Sequence, residues 1–188
     1  LAVSSTDSAP ALMALGATVT LVSASGSREI ALRDLYVNDG MHYLTRRPDE
    51  ILTAVHLPSA DGWRSTYWKL RRRGSFDFPV ASVAAAARFD GAHIVEARIV
   101  LGAVASRPLE VTAAADRLAG QALTDDLIAA VADDAYALAK PMDNTDFELV
   151  WRKKVVRSLA TSALRELRGD DMREARTSLA RHPLIVVS

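Results

Sequence analysis

The hydrophobic period of this 188-residue chain changes once, at Pro108. Before that point apolar residues alternate with polar ones in short runs; after it they recur every three or four positions. A period of two marks a strand with one buried face, and a period of about 3.6 marks a helix with one buried stripe. A chain that passes once from the first to the second builds strands and then helices, an α+β layout distinct from regular βαβ alternation. Ahead of the strands, residues 7–16 read as a short helix, with Asp7 or Ser8 as cap, Pro10 in the first turn and Gly16 as the left-handed stop. Residues 17–23 and 28–32 alternate around a Ser25-Gly26 turn as a hairpin, and 50–57 reads as a strand closed by Pro58. The stretch 58–62 is the best domain boundary in the chain. Past it, strands are expected over about 64–72, 81–89 and 93–104, with Asp90-Gly91 turning between the last two. Helices follow near 110–118, 125–139 and 146–167. The last has capping-box spacing at Thr145 and Glu148 and one apolar face through Val155, Leu159, Ala163 and Leu167. Beyond Gly169 the chain is charged, and 183–188 reads as an edge strand or a mobile end.

Composition narrows the function classes. The 23 basic and 23 acidic side chains cancel, which argues against a general nucleic-acid or acidic-membrane binder. A chain of this length buries roughly 70% of the surface its unfolded form exposes, so its core needs neither disulfides nor a structural metal. The absence of cysteine removes thiolate catalysis, disulfides and iron–sulfur ligation within the chain, and fits a reducing, cytoplasmic setting. None of the four histidines lies four residues from another, so a helical two-histidine zinc motif is missing. No apolar run approaches the roughly eighteen residues of a membrane span. The chain opens on Leu1 without the basic and apolar regions of a signal peptide, and reads as a piece of a longer polypeptide.

The nine glycines never form Gly-x-Gly, and neither a phosphate P-loop nor a Gly-x-Ser-x-Gly elbow occurs. No nucleophile stands with a recognisable base, which leaves a small independent hydrolase a poor reading. The most unusual segment is 65–80, which gathers aromatic residues, four cations, Gly74 and the lone acid Asp77. One reading has Lys69 and the arginines neutralising an electron-rich ring or an anionic cofactor, with Tyr67 or Phe76 packing nearby. The other has Tyr67 and Lys69 on one strand face, Trp68 and Leu70 on the other, and Arg71 to Arg73 as a solvated or subunit-contacting corner. Asp7 is equally open, as a helix cap or as the acid that hydrogen bonds a nucleotide sugar. His42 and His56 read as ordinary surface histidines. The Arg152-Lys153-Lys154 run reads as the solvated side of its helix.

Several of these segments recur together in one family. The runs Asp7-Ser-Ala-Pro10, Arg47-Pro-Asp-Glu-Ile-Leu52, Tyr67-Trp-Lys69 with Asp77-Phe-Pro79, Ser106-Arg-Pro108 and Trp151-Arg-Lys resemble the FAD-binding medium subunit of molybdenum hydroxylases. That family includes carbon monoxide dehydrogenase and xanthine dehydrogenase. The Arg-Gly-x-x-Asp-Phe-Pro run looks closest to the β subunit of 4-hydroxybenzoyl-CoA reductase. The resemblance implies that 1–58 is the end of an FAD-binding domain, 62–167 a domain of antiparallel strands and a helical bundle, and 168–188 a tail outside the match. It implies an oxidoreductase component that relays electrons through FAD between iron–sulfur clusters and an external acceptor or donor. The partners it implies are a large molybdopterin subunit and a small iron–sulfur subunit, in a heterotrimer or a dimer of heterotrimers. Carried over, Asp7 touches the adenosine part of FAD, Leu52 makes a backbone contact near the flavin, Lys69 stands beside the isoalloxazine, and Asp77 lies in the turn near the ring. A cation beside the ring favours negative charge on its reduced form and so raises its potential. The two glycine-rich loops that hold the FAD pyrophosphate in this family lie upstream of Leu1. The expectation is that this chain alone binds FAD weakly or not at all, and a docking module that no longer binds flavin is the competing reading.

Overall fold

A computed structural model describes residues 4–74, 76–142 and 148–181. The chain opens with α1 (Ser8–Ala14), which stops at Gly16, where φ is +79°. Strand β1 (Thr18–Ser23) follows and is the centre of a three-stranded antiparallel sheet, between β2 (Gly26–Ala31) and β3 (Ile51–His56). Val19 and Leu21 of β1 are fully buried and pack with Met13 and Ala14 of α1. The β1–β3 register steps from Thr20↔Ala54 to Leu21↔Leu52, which leaves Thr53 as the extra residue of a bulge. β3 is an edge strand, and Ile51, Leu52 and Val55 are exposed on it.

The second sheet has four antiparallel strands in sequence order: β4 (Trp63–Arg71), β5 (Pro79–Asp90), β6 (His93–Gly102) and the two-residue β7 (Leu109–Glu110). Strand β5 is buried on both faces. Ala85 and Ala87 look toward a helical layer, while Ala84 and Ala86 look toward α1 and the first sheet. Alanine suits that position because a small side chain lets two layers approach one strand from opposite sides. The helical layer consists of α2 (Thr112–Leu118), α3 (Asp125–Leu138) and α4 (Leu149–Arg168). Thr124 caps α3 by accepting a hydrogen bond from the Leu127 N–H, and Gly169, at φ +112°, closes α4. The α+β layout therefore stands, with the four-stranded sheet sandwiched between helices on one face and α1 with the smaller sheet on the other.

Four local points differ from the sequence reading or add to it. Glu110 belongs to β7 and not to a helix, because Val100↔Glu110 and Leu101↔Leu109 extend the sheet before α2 begins. Asp7 precedes α1 but makes no capping hydrogen bond; the Thr6 hydroxyl accepts the Ala9 N–H at 3.4 Å instead. The charged segment beyond Gly169 forms α5 (Arg173–Arg181), whose Arg176 guanidinium stacks 4.2 Å from the Trp68 ring and pairs with Glu166 at 2.6 Å. The fourth concerns Arg152, which is 2% exposed although it opens a basic run. Its guanidinium donates to the carbonyls of Val80 (2.9 Å), Met142 (3.2 Å) and Ala103. A buried cation is tolerated there because three backbone carbonyls solvate it, and Ala103 itself sits at φ +63°. Thr145 of the expected capping box, Asp146 of the expected helix and the segment 183–188 lie outside the described residues, while Glu148 stands at the N-cap of α4 and makes no side-chain capping hydrogen bond among the described residues. Among the described residues no helix is long and apolar enough to cross a membrane.

Glu50 is the second buried charge, at 1% exposure. It accepts the Arg28 Nε–H at 2.7 Å, the Arg28 Nη2 at 3.0 Å and the Arg47 backbone N–H at 2.7 Å. Since β2 and β3 flank β1 without pairing, the Arg28–Glu50 bridge reaches across the sheet and holds the entry to β3. The Arg28 guanidinium, with the Arg47 N–H, draws the Glu50 carboxyl down to about 2.

Replacing Arg152 by alanine leaves three carbonyls without their donor and should cost about 3 kcal/mol in urea unfolding, with lysine restoring only part of the loss. The stabilisation from Glu50 is complete above its unfolded pKa of 4.5 and disappears as pH falls toward about 2. Glu50→Gln should therefore flatten the fall in melting temperature between about pH 5 and pH 2 relative to the unaltered chain.

Candidate functional site

Strand alternation in β4 separates two sets of side chains. Trp68 and Leu70 enter the core beneath the helices, at 2% and 1% exposure, while Tyr67 and Lys69 take the opposite face. That opposite face meets the start of α1. The helix is held close to the sheet at Gly102 of β6, where a Cβ would come within 2.8 Å of Pro10 Cγ. Asp7, one residue before the helix, is thereby brought against β4.

Three groups meet at that point. The Lys69 ammonium pairs with Asp7 Oδ2 at 2.7 Å, and the Tyr67 hydroxyl donates to Asp7 Oδ1 at 2.9 Å. Both oxygens of the Asp7 carboxylate are thus engaged, which explains why it does not turn back to cap its helix. Burial pushes the Tyr67 phenol well above its usual range, and the Asp7 carboxylate raises it further, so the hydroxyl stays a donor. Lys69 also donates to the Asp77 carbonyl at 3.1 Å. An ammonium has three N–H donors, and two of them are used among the described residues. The Lys69 and Asp7 side chains are 20% and 42% exposed, so the pair is reachable from solvent.

Asp77 reaches this cluster through its backbone. Its carboxylate is committed to its own turn, accepting the Arg73 guanidinium at 2.9 Å and the backbone N–H groups of Arg73 and Phe78 at 3.1 and 3.0 Å. The Arg73 guanidinium holds that carboxyl down at about 2, and the turn N–H groups add to the effect. Phe76 is 90% exposed and Phe78 beside it 72% exposed, so neither is packed against the Lys69 face. Leu52 stands apart, on β3 of the other sheet and 38% exposed. The fold therefore brings together Asp7, Lys69 and the Asp77 backbone and leaves Leu52 separate from them.

Tyr67, placed by alternation on the face of Lys69, orients Asp7 through its hydroxyl. One feature of the site was not singled out from the sequence. Ser82 lies opposite Lys69 in the β4–β5 register, fully buried, with an Oγ that has no hydrogen-bond partner among the described residues. His42 and His56 are exposed, and His56 Nε2 shares a 2.7 Å hydrogen bond with the Thr20 hydroxyl. Among the described residues no cluster of three or more histidine or acidic side chains is placed to hold a metal.

Comparison with known proteins follows the same division. Residues 65–167 match the CO dehydrogenase flavoprotein C-terminal domain, and residues 1–60 match the FAD binding domain in molybdopterin dehydrogenase. The chain is 30% identical to the glyceraldehyde dehydrogenase medium chain of Sulfolobus acidocaldarius, over 83% of this chain and 54% of that one. It is 34% identical to the aldehyde oxidoreductase FAD-binding subunit PaoB of Escherichia coli, over 84% and 48% respectively. The solved structure of reconstituted CO dehydrogenase from Oligotropha carboxidovorans superposes with a TM-score of 0.79 at 28% identity, covering 86% of this chain and 56% of that one. The chain spans about half the length of the curated relatives it matches. A match over 65–167, with the sheet-and-helix fold to go with it, shows that the chain belongs to the CO dehydrogenase flavoprotein C-terminal domain family, found in the FAD subunits of molybdenum hydroxylase-type oxidoreductases.

Proposed function

We propose that this chain is part of the FAD-carrying electron-transfer subunit of a molybdenum-dependent hydroxylase or dehydrogenase, or of an aromatic acyl-CoA reductase. The observation that carries the reading is the Asp7–Tyr67–Lys69 cluster, which joins residues about sixty positions apart into one solvent-reachable charged group. FAD, when bound, supplies two-electron storage with one-electron exchange. The chain's own residues would receive the isoalloxazine. Lys69 offers positive charge where electrons add, and the Asp77 carbonyl and Asp7 carboxylate fix the direction of its ammonium. Asp7 tempers that charge, and Tyr67 holds Asp7 in place. Asp7 and Lys69, assigned by resemblance to different parts of FAD, stand in one ion pair, so a ligand at this site meets them together. Leu52 offers backbone from β3 as a separate contact.

In this reading residues 1–58 are the end of the FAD-binding domain and 62–167 the domain that packs behind it. The assembled enzyme places a large molybdopterin subunit and a small iron–sulfur subunit around the flavoprotein, as a heterotrimer or a dimer of heterotrimers in the cytoplasm. Electrons pass between the iron–sulfur clusters and an external acceptor or donor through the flavin. A docking module that no longer binds flavin is the second reading. It is favoured by β3, where Ile51, Leu52 and Val55 are uncovered at an open sheet edge.

A visible spectrum tests whether this chain holds flavin by itself. FAD added to the 188-residue chain and then removed in excess leaves a flavin band only if the site suffices; a colourless protein of intact mass means a truncated subunit or a docking module, which the potentials of the complete subunit then separate. In the complete subunit, Lys69→Ala should lower the flavin midpoint potential by about 30 mV or more, and Asp7→Asn should raise it. An unchanged potential accompanied by lost stability would remove Lys69 from the electron-transfer site.

A further inference from the structure

A cleft of about 330 Å³ opens between the loop carrying Asn38, the segment that follows β6, and the chain leaving α3. Two cations line it, Arg107 and Lys140, and among the described residues no carboxylate does. The Arg107 Nε is buried and has no hydrogen-bond partner among the described residues. A guanidinium N–H withdrawn from water and left unpaired costs free energy that a folded chain normally avoids. Lys140 is fixed at its backbone, where its N–H donates to the Val104 carbonyl at 3.0 Å. That bond sets the lysine beside the segment that carries Arg107. The Ser106 hydroxyl donates to Asn38 Oδ1 at 2.9 Å, which leaves the Asn38 amide N–H groups as donors at the mouth. The wall is apolar, from Leu138 and Met142 among others.

We propose that this cleft binds a small organic anion, with a carboxylate or phosphate group against Arg107 and Lys140 and an apolar body against Leu138 and Met142. Two like charges facing one cavity repel each other, and an anion between them replaces that repulsion with charge-assisted hydrogen bonds. Arg107 supplies a planar fork suited to two anionic oxygens, and Lys140 a compact second charge. The site is independent of the flavin reading, because Asp7, Leu52, Lys69 and Asp77 do not line it.

The test is calorimetric titration of the purified chain with phenylacetate and with phenyl phosphate, at constant ionic strength in chloride, with benzyl alcohol as the neutral control. Saturable binding of at least one anion is expected, and the tighter of the two identifies carboxylate or phosphate as the group recognised. Arg107→Gln should weaken that binding at least about tenfold and Lys140→Gln by several-fold. Should Arg107→Gln fail to fold, Asn38→Asp, an exposed change that sets a negative charge at the mouth, should weaken it as well. The proposal is overturned if neither anion gives saturable heat, if benzyl alcohol binds as well as the anions, or if Lys140→Gln and Asn38→Asp leave the affinity unchanged.

Discussion

Burial of one strand on both faces governs this structure. With Ala81, Ala84, Ala85, Ala86 and Ala87 all at 1% exposure or less, β5 is a thin partition against which two cores are built. One core takes Trp68, Leu70 and the apolar faces of α3 and α4; the other takes α1, β1 and Val100. Larger side chains on β5 would push one layer away, and α1 would then lose its seat on Gly102. Because Asp7 hangs from the start of α1, the ion pair with Lys69 depends on that close approach. A packing constraint in the middle of the sheet thereby sets the geometry of a charged group at its surface.

Much of this was legible in the chain. The period change at Pro108 separated strands from helices because burial on one face leaves a direct record in residue spacing. Gly16 marked a helix end because its left-handed backbone penalises a Cβ. Alternation through 67–70 assigned Tyr67 and Lys69 to one face and Trp68 and Leu70 to the other, as the burial of Trp68 and Leu70 shows. What was not legible depended on contacts between distant segments. Asp7 had the form of a cap, and only the approach of β4 gave its carboxylate better partners than its own helix offered.

Arg152 is more instructive, since its signal was present. Positions 152, 155, 159 and 163 follow one helical stripe, so the period placed this arginine with the buried residues while its two basic neighbours suggested solvent. Periodicity outranked composition there, because the fold supplied three carbonyls to receive the charge. The helix after Gly169 was left unread for a different reason. Arg176 covers Trp68 through its guanidinium, a contact that a hydrophobic pattern does not record.

The open edge of the small sheet carries a further consequence. A strand with unpaired backbone donors and acceptors and apolar side chains exposed beside them is a template on which another extended segment can add. Two such chains meeting through β3 would join their small sheets into one six-stranded sheet and close as a pair, with β2 left as the outer edge on each side. The bulge at Thr53 interrupts the regular ladder and gives the edge some protection against such pairing.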